Sequence, residues 1–203
     1  MDLKKLLPVF SYVFHPIFVS IYGTLFFFLI TSNFYYDAQI SITLLQVTIL
    51  TLLLPLSMYF LFRSLGVVSS FTEASLTERR MPIAVQAILL FILIKYSVSK
   101  EIFTELYFFF LGGLYSAGLV LTSVMLKFKA SLHMIGVSAL TAFVYGLSVY
   151  YQLPFVNLIA FCIVFMGLVA SSRLYMKAHT PIELIAGIAI GLLPQVLLFK
   201  YWL

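Results

Sequence analysis

Apolar runs too long for a soluble domain dominate this chain. Stretches nearly free of charge lie at about 6–30, 41–62, 82–98, 103–126, 132–151, 154–174 and 180–200. Each has the length, about 17–25 residues, that carries a helix across the hydrocarbon core of a bilayer. Within lipid every backbone N–H and C=O has to be satisfied inside its own segment, which makes such runs helical. The expectation is an all-α polytopic transmembrane helical bundle of about seven spans. Of the residues 63% are hydrophobic and 9% charged, leaving no polar block long enough to fold apart. Residues 1–203 are therefore expected to form a single integral membrane domain. The first run is longer than a signal-peptide core and has no small-residue cleavage site behind it, so it should stay as a span, kinked at Pro16.

The net charge of +5 is spread as single residues near span ends. That is the habit of membrane proteins and gives no basic face for nucleic acid. The single cysteine, Cys162, lies inside an apolar run, which excludes an intramolecular disulfide. Tyr150, Tyr151, Tyr201 and Trp202 fall where interfacial aromatics belong. Gly112, Gly113, Ser116, Gly187 and Gly191 are small enough to let helices approach closely, a packing role.

Seven spans put the links 63–82, 127–133 and 171–183 on one face of the membrane. Those links hold Arg79, Arg80, Lys127, Lys129, Ser131, His133, Arg173, Lys177 and His179. Charge near a membrane is expensive, and a convergent site accounts for so many polar groups on one face.

The densest of these links is Ser171 to Gly187, SSRLYMKAHTPIELIAG. Thr180 as N-cap, Pro181 at the first helical position and Glu183 three residues after the cap read as a helix start with a capping box. His179 then sits just ahead of a helix N-terminus, whose free N–H groups and dipole favour an anion, with Arg173 and Lys177 adding charge. His179 and Glu183 are four apart, close enough for the carboxylate to hold the imidazole in one tautomer. Glu183 has a second reading, as no more than the closing member of the capping box. Both roles coexist if its two oxygens divide between the Thr180 amide and His179.

Ser172-Arg173, five residues, His179, three residues, Glu183, three residues, Gly187 resembles the third signature of the type 2 phosphatidic acid phosphatase family, SRxxxxxHxxxD followed by Gly, with Glu in place of Asp. Ser131-Leu132-His133 resembles the second signature, PSGH, at its Ser and His. Arg80-Met81-Pro82 answers the first, KxxxxxxRP, with one residue inserted and Glu73 where the lysine belongs. The resemblance covers the C-terminal two thirds of the chain and implies a six-helix core, to which this chain adds one helix. It implies His179 as the nucleophile that takes the phosphoryl group, Glu183 as its orienting acid and His133 as the acid for the leaving group. Arg173, Ser131, Arg80, Arg79 and Lys129 would hold the phosphoryl oxygens. The competing readings are a membrane-interface histidine bonded to backbone for His133 and a simple span border for Arg79 and Arg80. His15-Pro16 reads as structural.

The implied activity is a membrane lipid phosphatase acting on a lipid phosphate or diphosphate through a phosphohistidine. No cofactor is expected, and no metal, since a Mg²⁺ ion would want more carboxylates than this face offers. The partners are a lipid phosphate substrate and membrane lipids. A phosphotransferase of the same fold, or a non-enzymatic seven-helix transporter or anion-binding protein, is the alternative. The resemblance points to the bacterial cytoplasmic membrane. The N-terminus and His179 should share a side, with the C-terminus opposite.

Overall fold

The computed structural model describes residues 6–67 and 76–203, with no strand among them. In order these are α1 (Leu7–Val13), α2 (Pro16–Thr31), α3 (Asp37–Thr48), α4 (Leu54–Ser64), α5 (Leu76–Tyr96), α6 (Thr104–Met125), α7 (Leu132–Tyr150), α8 (Val156–Tyr175) and α9 (Pro181–Phe199). A π-helical turn, Ile49–Leu53, joins α3 to α4 just before Pro55, which has no N–H to offer the preceding turn. Lys4, Lys5 and Glu73 lie outside the described residues.

Six helical segments are long and apolar enough to cross a membrane: Pro16–Phe34, Asp37–Ser64, Thr104–Met125, Leu132–Tyr150, Val156–Tyr175 and Pro181–Phe199. Helix α5 matches them in length at 21 residues but carries Glu78, Arg79, Arg80 and Lys95. It lies along α6. The chain is an all-α polytopic bundle with the helices of an integral membrane protein.

Two boundaries differ from expectation. The first apolar run is not one kinked span but two helices. His15 precedes a proline and is driven out of the helical region to φ −64°, ψ 137°, where its side chain caps α2. The short α1 then turns aside to pack on α8. At the other boundary, the polar link before residue 82 is already helical from Leu76. Glu78, Arg79, Arg80 and Met81 are good helix formers, and Pro82 removes only the bond to the Glu78 carbonyl.

Helix α7 is the centre of the bundle, packed against α9, α2, α8 and α6. Its closest neighbour is α9, and glycine makes that approach possible. A Cβ on Gly187 would lie 2.7 Å from the Ser131 carbonyl oxygen, and one on Gly191 would collide with the Ile135 carbonyl oxygen and Ser138 Oγ. One end of the bundle is closed by a dry aromatic core, with Phe27, Phe110 and Phe143 fully buried and Phe109 stacked on Phe143 at 4.4 Å. Trp202 joins that end through Phe143 and Phe199. The C-terminus is thus at the far end of α9 from His179, while α1 stands beside the polar links.

Candidate functional site

Two matching helix ends build the site. After α6, Lys127 adopts a left-handed φ of 62° and the Phe128 amide reaches back to the Ser123 carbonyl at 2.8 Å. After α8, Lys177 adopts φ 52° and the Ala178 amide reaches the Arg173 carbonyl at 3.0 Å. These are Schellman turns made without glycine. Each reverses the chain within three residues and delivers the next N-cap, Ser131 for α7 and Thr180 for α9. The links are then tied together. The Ser131 amide donates to the Glu183 carbonyl at 3.1 Å, and Lys129 Nζ donates to the Ala178 carbonyl at 3.2 Å.

At the start of α9 the capping box forms: the Glu183 amide donates to Thr180 Oγ1 at 3.4 Å and the Thr180 amide to Glu183 Oε2 at 3.0 Å. The same Oε2 lies 2.9 Å from His179 Nδ1. The two roles of Glu183 therefore meet on one oxygen rather than dividing between two. A carboxylate oxygen only accepts, so Nδ1 carries the proton and Nε2 keeps its lone pair. His179 is 8% exposed. Burial, reinforced by the charges of Arg173, Arg79 and Lys129, holds its pKa down to about 4, against the opposing pull of Glu183. The imidazole is neutral at ordinary pH.

A cavity of about 350 Å³ opens beside it, lined at this end by His15, Arg79, His133, Arg173 and His179. Arg173, in the last turn of α8, is 3% exposed, and its Nε has no hydrogen-bond partner. Arg79 is half-buried. The Arg79 and Arg173 guanidinium groups lie close enough to act on each other and both act on His179, so among the described residues this end is electropositive. Among the described residues no three His, Cys, Asp or Glu side chains gather as a metal site.

Of the eight residues singled out from sequence, Arg79, His133, Arg173 and His179 meet at the cavity. Glu183 acts on it through His179. Ser131 and Lys129 tie the links and do not line the cavity. The buried Ser131 Oγ has no hydrogen-bond partner. Arg80, the neighbour of Arg79, is exposed and lies outside it. His133 takes the arrangement weighed as its alternative: its Nε2 is 3.0 Å from the Ser11 carbonyl, which makes Nε2–H the donor.

The α1–α2 corner contributes what the sequence did not announce. Ser11 Oγ is 2.6 Å from Ser172 Oγ, locking α1 to α8. His15 stands edge-on to His133 with ring centroids 5.1 Å apart, and its Nδ1 accepts from the Ile17 amide at 3.3 Å. Burial and the nearby Arg173 lower the His15 pKa to about 4. The His-Pro pair was its one sequence signal.

The fold and the site define a polytopic α-helical membrane protein with a buried, histidine-lined, electropositive cavity. No family model, curated protein or solved structure matches the chain.

Proposed function

We propose that this protein is a membrane phosphohydrolase, a divergent relative of the type 2 phosphatidic acid phosphatases, acting on a lipid phosphate or diphosphate in the bacterial cytoplasmic membrane. The observation that carries the reading is the pairing of His179 with Arg173. A neutral histidine, its Nδ1–H held by Glu183, shares a cavity end with a buried guanidinium whose Nε is unpartnered. An anion held there by Arg173 and Arg79 would meet an oriented imidazole nitrogen.

In the proposed reaction His179 Nε2 attacks phosphorus, the P–O bond to the lipid breaks, and the leaving oxygen takes a proton from His133. Water then attacks the phosphohistidine, gives its proton to His133, and releases inorganic phosphate with neutral His179. Because Nε2–H of His133 is donated to the Ser11 carbonyl, the exchange runs through Nδ1, which takes up the proton that the substrate brings as a phosphate monoanion, hands it to the leaving oxygen, and passes the proton later taken from water to the departing phosphate. Arg173 and Arg79 stabilise charge on the transferring group.

That same backbone bond favours the second reading, an anion-binding transporter in which His133 is structural. Phosphate release by purified protein from a panel of lipid phosphates, with and without EDTA, separates the two. Release that survives EDTA is expected. Folded protein that releases none supports the transporter, and turnover abolished by EDTA overturns the metal-free mechanism.

A further inference from the structure

The cavity continues far past its charged end. On α5 its lining runs from Arg79 to Leu90, and on α6 from Val120 to Phe109, eleven residue steps along each helix. At a rise of 1.5 Å per residue both give a depth of about 16 Å, roughly half the thickness of a bilayer's hydrocarbon core. Charged side chains line only the upper end, as Arg79 and Arg173. The walls below are mainly apolar, with Pro82, Ile83, Ala117 and Val120 among them. The floor is fixed. Leu90, Phe109, Phe110 and Gln195 are all buried, and Gln195 Nε2 donates to the Phe109 carbonyl at 2.9 Å. Stacking on Phe143 holds Phe109 from behind.

We propose that this shaft is a tail site and that its floor measures the tail: the substrate is a single-chain amphiphile with a phosphate or diphosphate head, its chain drawn into the bundle. The head-group assignment rests on the phosphohydrolase reading; the tail assignment rests on the shaft alone. A carbon chain with single bonds of about 1.5 Å and angles near 111° advances about 1.25 Å per carbon, so a 16 Å shaft holds about 13 carbons. A volume of about 350 Å³ is at the small end of ligand cavities and suits one such chain rather than two.

Gly113 supplies the test. It lines the shaft on α6, takes no part in the charged end, and a Cβ there would meet only Leu90 Cδ1, at 3.8 Å. The Cβ of Gly113→Leu is therefore accommodated, and the rest of its side chain occupies the shaft. It lies seven residues below Val120, about 10 Å down, and should leave room for about eight carbons. The protein, held in nanodiscs, is given n-alkyl phosphates from hexyl to hexadecyl. In the parent, kcat/KM rises with length and breaks at about 13 carbons, the length that fills the shaft. In Gly113→Leu the break moves to about eight, the dodecyl-over-octyl preference falls about tenfold or more, and hexyl phosphate is turned over within about twofold of the parent. Ala117→Leu, higher in the shaft, shortens the break further and serves if Gly113→Leu fails to fold.

Because longer chains also partition better into lipid, the break reads the shaft and the slope does not. Turnover rising through hexadecyl in parent and variants alike overturns the tail site and leaves the phosphohydrolase reading standing. If no alkyl phosphate is hydrolysed, that reading fails, and displacement of dansyl-undecanoate by the same phosphates tests the shaft instead. A break near 13 carbons that Gly113→Leu shortens then upholds it. No break, or displacement as strong by a diacyl phosphatidic acid, overturns it.

Discussion

The Ser131 amide donates to the Glu183 carbonyl oxygen at 3.1 Å, so the residue that orients His179 through its side chain also docks the start of α7 through its main chain. The second task survives any substitution of the side chain. Glu183 variants should therefore report on His179 more than on the fold.

On that basis His179→Ala is expected to remove turnover, a loss of about 10⁴-fold or more, on the scale of deleting a nucleophile. Glu183→Gln keeps an acceptor oxygen for the Thr180 amide and is expected to lose roughly 10–100-fold, since the amide holds the imidazole tautomer without stabilising charge on the ring. Trapping of an acid-labile phosphoenzyme in the parent and its absence from His179→Ala is the direct measurement. Near-normal turnover by His179→Ala would remove the centre of the mechanism.

Arg79 and Arg80 differ by one position and, on a helix, by about 100°. Arg79 lines the cavity and Arg80 does not. Arg79→Ala is expected to lower kcat/KM by about 10–100-fold, the scale of a lost charge-assisted contact, and Arg80→Ala to stay within about twofold. Steady-state kinetics on one lipid phosphate decide this, and equal losses would mean that the rotational phase of α5 at this end is wrong.

That pair also shows where sequence reading stops. The cap of α9 was legible because Thr180, Pro181 and Glu183 are a local signal whose physics needs no partner. The gathering of the polar links was legible because the number of spans fixes which links share an end. Phase was not: nothing local says which of two adjacent arginines faces inward. Nor was the α1–α2 corner, since Pro16 in an apolar run reads equally as a kink or a break. Only the packing of α1 on α8, through Ser11 and Ser172, turns it into the corner that brings His15 to His133. The cavity depends on residues from eight helices and leaves no trace in any one of them.

The depressed histidines set the direction of the pH response. An unfolded histidine takes up its proton near 6.5, whereas His179 and His15 in the fold resist until about 4. The unfolded state therefore binds more protons between these values, and stability from these groups is complete above pH 6.5 and lost as pH falls towards 4. Thermal unfolding in detergent should show a Tm that declines on acidification through this window. His179→Gln should flatten part of the decline and leave the share belonging to His15. For the same reason kcat/KM should not lose its nucleophile at pH 5.5, where an ordinary histidine is mostly protonated. A rise of Tm on acidification from 6.5 would contradict a neutral His179.

The glycines on α9 allow a last measurement that separates scaffold from chemistry. A Cβ on Gly191 would meet the Ile135 carbonyl oxygen, its carbonyl carbon and Ser138 Oγ, and backbone at the α7–α9 crossing cannot rotate away as a long side chain can. Gly191→Ala is expected to cost about 1–3 kcal/mol, which in a chain of this size lowers Tm by several degrees, roughly 2–4 °C per kcal/mol. Gly187→Ala, which meets the Ser131 carbonyl oxygen at 2.7 Å and Met134 Cβ at 2.9 Å, should cost a similar amount and in addition shift α7 relative to α9, moving His133 against His179 and lowering kcat. Gly118 and Gly167 have nothing within 4 Å of an added Cβ; alanine there should leave stability unchanged or raise it by up to about 1 kcal/mol through helix propensity. Melting all four variants beside the parent tests the crossing. Equal effects at Gly191 and Gly118 would show that α7 and α9 do not approach as closely as Ser131 and Glu183 require.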